Sequence, residues 1–341
     1  MKNRNVSVDL FRFLAALSIM FLHTCWGLDD SLLNAYPIIG IVIGRYPVIL
    51  FFTISGYYCF LQISKGRNAA KTQIRSLLKV YCVWTVVYYL MSFVLNVAAG
   101  HEPVGKFFAE RVLYFFTEGS YPHLWYVVSL IYVMILICLV YELCGEKGIR
   151  ILAAVSMILF IGVLGTSYLP LGEQIPVLGD FYGWKYYFVF RNIFCLGLPG
   201  VMFGYYIVRL LPVIEKRPKL AETGFFITSV LGMIEGMLVI QKGWISDFPS
   251  MFLMPFVLIF GMSCLIRHPL GQLESHAVFL KRMSSYIYFV HPAVIAVLGF
   301  LLQVTGVHLS YWMDYIIVAG LVLCSGVVLM KIKRPWTKLF I

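Results

Sequence analysis

Charge is scarce in this chain. Of its 341 residues 13% are charged, against roughly 25% in ordinary soluble domains, which excludes a water-solvated globule. Acidic residues are the scarcer sign, 16 Asp and Glu against 27 Lys and Arg. The eight cysteines show no Cys-x-x-Cys spacing, so neither a zinc ribbon nor a dithiol redox motif is written here, and packing residues are the simplest reading. There is no P-loop, no dinucleotide fingerprint and no His-Glu-x-x-His, which removes the commonest signatures of nucleotide and zinc-hydrolase chemistry. No low-complexity segment and no tandem or inverted repeat is visible, which weighs against a repeat-built transporter. Ligand spacing implies no metal.

What is abundant is apolar surface: 61% hydrophobic residues and a mean hydropathy of +0.86. Apolar runs of about 20 residues, the length that crosses a bilayer as a helix, recur at short intervals. Ten are predicted as spans, at 8–25, 46–64, 77–99, 123–144, 150–168, 186–208, 222–242, 250–266, 284–303 and 312–331. The expected fold is therefore an all-α integral membrane protein of about ten transmembrane helices, with one membrane domain filling residues 1–341. The first run carries Arg12 and His23 and lacks a convincing small-residue cleavage site, so it is expected to remain attached.

Lys and Arg are retained on the cytoplasmic side of short loops. With the N-terminus inside, Lys2, Arg4, Lys65, Arg67, Lys71, Arg75, Lys79, Lys147, Arg150, Arg209, Lys216, Arg217, Lys219, Arg267, Lys281, Arg282, Lys331, Lys333, Arg334 and Lys338 are cytoplasmic. The opposite side holds Arg45, Lys106, Arg111, Lys185, Arg191 and Lys242, twenty against six, so both termini are expected in the cytoplasm. Asp29, Asp30, Glu102, Glu110, Glu118, Glu173, Asp180 and Asp247 fall in the outer loops. The net charge of +11 is then a topology signal and requires no nucleic-acid partner.

Within the first span, Arg12 and His23 lie eleven residues apart. Eleven steps of about 100° make three turns plus roughly 20°, which sets both side chains on one face about 16 Å apart along the axis. Ionisable groups at membrane depth face a protein interior or a watery cavity and commonly serve binding or proton chemistry. Further polar residues fall inside other spans: Ser55 in Phe51-Phe-Thr-Ile-Ser-Gly-Tyr57, His291 near the middle of the ninth span, Arg191 in the outer part of the sixth, and His123 with Trp125 opening the fourth. Gly56 would permit a close backbone approach or a local break. Each has a plainer reading. Arg12 can snorkel and pair with Asp9, His23 can bond within the bundle, Trp125 and Tyr126 can be interfacial aromatics, and Glu235 can be either a structural partner or a proton-relay residue. His268, His276 and His308 fall in loops and read as solvated.

Taken in order, Arg12-x10-His23, Phe51-Phe-x-x-Ser-Gly-Tyr57, His123-Leu-Trp-Tyr126, Arg191-Asn-x6-Pro199 with Gly204, and Ser284-Ser-Tyr-Ile-Tyr-Phe-Val-His-Pro292 resemble the membrane acyltransferase family called acyltransferase 3. The resemblance implies ten spans, cytoplasmic termini, and transfer of an acyl group, usually acetyl from acyl-CoA, to a hydroxyl of an envelope glycan, lipid-linked sugar or related acceptor at the plasma or inner membrane. It also implies that Arg12 and His23 are essential. Arg12 suits the phosphates of CoA, being planar and permanently charged. His23 suits a base for the acceptor hydroxyl or a transient acyl carrier. Ser55, Arg191, His291, His123 and Trp125 would bind or position substrate. The same membrane fold occurs in vancomycin-resistance serine racemases, where it is associated with amino-acid uptake. The His123-Leu-Trp-Tyr126 and Arg191-Asn segments are at least as close to that branch. A transport module for a small substrate such as serine, with Arg12, His23, His291 and Glu235 lining the path, is therefore the second expectation.

Overall fold

A computed structural model describes residues 5–24, 37–65, 69–98, 100, 102–244, 251–332, 337 and 340. The predicted cytoplasmic Lys2, Arg4, Arg67, Lys333, Arg334 and Lys338, the outer Asp29, Asp30 and Asp247, Cys25, the side chain of Arg45, and the span ends 25, 99 and 250 lie outside the described residues. Among the described residues there is no strand. The main helices are α1 (Val6–Thr24), α2 (Pro37–Ile63), α3 (Ala69–Ser92), α4 (Val104–Phe116), α5 (Trp125–Leu159), α6 (Leu198–Lys216), α7 (Lys219–Gln241), α8 (Met254–Arg267), α9 (Ala277–Thr305) and α10 (Tyr311–Lys331).

The chain is an all-α integral membrane protein. Among the described residues eight helical stretches are long and apolar enough to cross a bilayer. One of them, Pro122–Gly162, is 41 residues long and contains the predicted spans 123–144 and most of 150–168. They are separated at Gly145, whose φ of 56° and ψ of −148° break the helix. The predicted span at 250–266 is α8, which at 14 residues falls short of the 20 or so that cross the hydrocarbon core. Large apolar side chains point outward, with Leu143 82%, Ile158 70%, Phe226 69% and Ile316 65% exposed, as expected where lipid is the solvent.

The chain divides into two compact units, one of residues 1–8, 30–74 and 129–274 and the other of 9–29, 75–128 and 275–341. In the first, α2 and α6 meet at backbone distance. A Cβ added to Gly56 would stand 2.0 Å from the Val201 carbonyl oxygen, and one on Gly204 would stand 2.1 Å from the Tyr57 amide nitrogen. A glycine from each helix at the crossing permits this approach, and the close dispersion contacts it allows hold membrane helices together where lipid removes the hydrophobic drive. Gly56 therefore serves close approach and does not interrupt α2. Val8, Ile54, Tyr57, Ile207 and Met262 form a buried cluster beside this contact.

Also in the first unit, Glu235 of α7 reaches the start of α8. Its carboxylate accepts the amides of Phe252 at 2.6 Å and Leu253 at 3.0 Å, together with the Tyr168 hydroxyl. These amides open α8, where unsatisfied donors and the helix dipole favour a negative charge.

The second unit packs α1 against α9 and α10. Ala15, Ala16, Ile19 and Met20 are buried on one face of α1, and the Phe21 ring lies 5.4 Å from Trp312 and 5.1 Å from Tyr315. In the other unit Asn5 caps α1, its Oδ1 accepting the amides of Ser7 and Val8 at 3.0 and 3.3 Å. Helix α4, predicted only as loop, buries Phe107 alone. Arg111 lies over the Phe107 ring at 4.8 Å and pairs with Glu102 at 3.7 Å.

Candidate active site

His123 is held by a short stretch of unusual backbone. Gly119 has a φ of 92°, a left-handed conformation glycine adopts without strain. A Cβ there would lie 2.7 Å from the Leu124 carbonyl carbon. Pro122 then begins a single 3-10 turn, Pro122–Leu124, that leads into α5. Helix α3 fastens this loop along one stripe. Tyr81 donates to the Phe115 carbonyl at 2.7 Å and accepts the Ser120 amide at 3.2 Å, and Thr85 and Ser120 share a hydroxyl pair at 2.8 Å. Tyr88, one turn further, donates to the Phe289 carbonyl at 2.5 Å.

Helix α9 brings the second imidazole. From Ser284 to Pro292, every side chain except Ser285 is buried. His291 is wholly enclosed, and its Nδ1 lies 2.8 Å from the Ile287 carbonyl oxygen. Tyr288 donates to the His123 carbonyl, tying the segment to the 3-10 turn.

Three histidines converge in this unit. The His23 ring centroid is 5.2 Å from that of His291, and His123 is 5.7 Å from His291. Around His123 stand Tyr88 at 5.0 Å, Tyr288 at 5.4 Å and Tyr121 at 5.7 Å, with Tyr88 and Tyr121 stacked at 4.4 Å. Burial raises the pKa of Tyr121, which lies just outside the spans, so its phenol stays neutral beside the cluster. Both ring nitrogens of His123 and Nε2 of His291 are buried with no hydrogen-bond partner among the described residues. Buried polar atoms are nearly always paired, and exceptions commonly mark a site that a ligand or water completes. Among the described residues no group of three or more His, Cys, Asp or Glu is arranged to hold a metal.

The sequence-predicted site residues thus sort by unit. Arg12, His23, His123, Trp125 and His291 belong to the second. Trp125 is buried at the start of α5, and Arg12 is partly buried about three turns from His23 along α1. Ser55 and Arg191 belong to the first unit. The Ser55 hydroxyl donates to the Phe51 carbonyl of its own helix at 2.9 Å. Arg191, buried at the start of a π-helical turn, donates from Nε and Nη2 to Asn192 Oδ1 at 3.3 and 3.0 Å and lies 4.6 Å from the Phe188 ring centre. The tyrosines at 88, 121 and 288 were missed by sequence reasoning. The pattern Tyr81-x3-Thr85-x2-Tyr88 was the legible signal for Tyr88, a polar stripe at helical spacing inside an apolar run.

Residues 5–331 match the family model described as acyltransferase domain. The chain is 26% identical over 348 residues to a serine/alanine racemase of Enterococcus gallinarum, covering 98% of this chain and 47% of that protein. It is 24% identical over 351 residues to an amino-acid racemase of Enterococcus faecalis, with the same two shares covered. The chain therefore spans about half the length of these curated relatives. No solved structure matches it.

Proposed function

Because the chain belongs to the acyltransferase 3 family, we propose that it is a membrane O-acyltransferase that moves an acyl group, acetyl foremost, from acyl-CoA to a hydroxyl of an envelope glycan, lipid-linked sugar or related acceptor. The observation that carries this reading is the cluster of His23, His123 and His291 within an aromatic enclosure. A neutral imidazole offers one donor and one acceptor. His123, with neither nitrogen paired among the described residues, is matched by hydroxyls, which both give and take a hydrogen bond. The surrounding rings offer apolar faces for a sugar or polyol to lie against.

The reaction needs little more than this set. The acceptor oxygen attacks the thioester carbonyl carbon, a C–O bond forms, the C–S bond breaks, and the hydroxyl proton must reach the departing sulfur through an imidazole. His23, on the same face of α1 as Arg12, is the family's essential histidine, as base or as acyl carrier. Arg12 provides a fixed cation for CoA phosphates, and the charge asymmetry of the loops supports donor entry from the cytoplasm. Ser55, Arg191 and Trp125 are assigned to positioning of donor or acceptor.

The test is acetyl-CoA binding and slow hydrolysis by the purified protein in nanodiscs. Saturable binding weakened by Arg12→Ala, with turnover abolished by His23→Ala while the fold persists, is the expected result. Neither binding nor turnover in the wild type would overturn the reading. The racemase names of the Enterococcus relatives favour a second one, a membrane module that moves a small amino acid such as serine. It expects flux into vesicles with no thioester consumed. Glu235, which that path would use, has its carboxylate engaged by Tyr168 and two helix-opening amides, which weighs against it.

A further inference from the structure

We infer that His291 is the general base that takes the proton from the acceptor hydroxyl, with His23 returning it to the leaving sulfur. The inference rests on the acyltransferase reading above and adds to it a division of labour between two adjacent imidazoles. His291 Nδ1 lies 2.8 Å from the Ile287 carbonyl. A carbonyl only accepts, so Nδ1 carries the proton and the neutral ring presents Nε2 as a bare acceptor. That Nε2 is buried and has no partner among the described residues. It has nothing to donate, so only a donor satisfies it, and the hydroxyl to be activated is one.

A base whose far nitrogen is oriented by a second group is the arrangement nucleophile activation requires. Here the orienting group is main chain, and the main chain itself is immobilised. Tyr88 holds the carbonyl of Phe289, and Tyr288 is tied to the carbonyl of His123. Pro292 follows directly, so the next amide in the helix is missing and the Tyr288 carbonyl lacks its usual helical donor.

The proton balance closes within the cluster. The hydroxyl proton moves to His291 Nε2 as the C–O bond forms. The C–S bond breaks with its electron pair on sulfur. The proton passes from His291 to the neighbouring His23 ring, 5.2 Å away between centroids, and from there to the thiolate, leaving both imidazoles neutral.

Two substitutions separate base from scaffold. His291→Asn retains an amide able to donate near the Nδ1 position and deletes Nε2; His291→Gln retains an acceptor near Nε2 with no basicity. Both are expected to bind acetyl-CoA as the wild type does and to lose about 100-fold or more of its hydrolysis. Hydroxylamine, which attacks without prior deprotonation, should be acetylated by both variants with a far smaller loss. A Gln variant with wild-type hydrolysis overturns the inference. So does an equal loss toward water and hydroxylamine, which would mark a structural role. Nitrogen-15 spectra of histidine-labelled protein, assigned with the Asn variant, give a readout independent of turnover: an Nδ1-protonated neutral ring is expected, and an Nε2-protonated one overturns the assignment. A wild type inert toward acetyl-CoA, with the His291 tautomer as described, instead brings down the acyltransferase reading and the base role with it.

Discussion

At His123 the needs of stability and of chemistry oppose each other. The ring is buried among Tyr88, Tyr121 and Tyr288 with neither nitrogen paired among the described residues, and an unsatisfied buried polar atom costs about 1–3 kcal/mol. Phenylalanine fills a similar volume with no polar atom. His123→Phe is therefore predicted to keep or raise the thermal midpoint in detergent while abolishing acceptor-dependent acyl transfer. A coincident loss of stability would show that the imidazole is held by bonds and not by enclosure. Arg12 poses the complementary case. Arg12→Lys keeps the charge and loses the planar fork that suits phosphate bidentately, so weaker acetyl-CoA binding with an unaltered maximal rate is expected, read by titration and steady-state kinetics. None of these roles is visible in the residues singly. Trp125 and Ser55 look equally eligible in the sequence, yet the Ser55 hydroxyl spends its proton on its own helix.

Among the helices, the contact of α2 with α6 depends on atoms that are missing. Gly204→Ala would place a methyl 2.1 Å from the Tyr57 amide nitrogen, and neither backbone can yield without moving its helix. The expected cost is about 1–3 kcal/mol, measured as a lower thermal or denaturant midpoint. Glu235→Gln keeps acceptor capacity through one oxygen, whereas Glu235→Ala strands the Phe252 and Leu253 amides. The alanine variant is predicted to lose about 0.5–2 kcal/mol and the glutamine variant less. The same residues show how far helical pattern reaches. Hydropathy located α1, α3, α7, α9 and α10 because a run of about 20 apolar residues is a local property. It left α4 as loop because Lys106, Glu110 and Arg111 interrupt the short apolar stretch, and it set the boundary between the spans 123–144 and 150–168 where the helix breaks at Gly145.

Across the whole molecule, the surface is lipid-facing over most of its helices, and the charge asymmetry sets its expected orientation. Single cysteines placed at Lys65 and at Lys185 in a background lacking the others are predicted to label from opposite faces of sealed vesicles, Lys65 from the cytoplasmic one. Labelling from one face would refute the orientation from which donor entry is argued. The ion pairs Lys71–Glu142, Arg209–Glu146 and Arg267–Glu222 are mostly exposed, and such pairs contribute about 0–1 kcal/mol, so they decorate the fold more than they hold it.

The sequence by itself determined the solvent of this protein, the extent of most of its membrane helices, and the shared face of Arg12 and His23, since each follows from composition or from a 3.6-residue period within one segment. It singled out His23, His123 and His291 as well, but as isolated polar residues in three different spans. Tertiary structure decided that these three imidazoles meet, that Tyr88, Tyr121 and Tyr288 surround His123, and that Glu235 caps a helix. The reason is physical: side chains from separate helices and loops are brought together by packing and by hydrogen bonds to main-chain groups, and neither leaves a periodic trace in the chain.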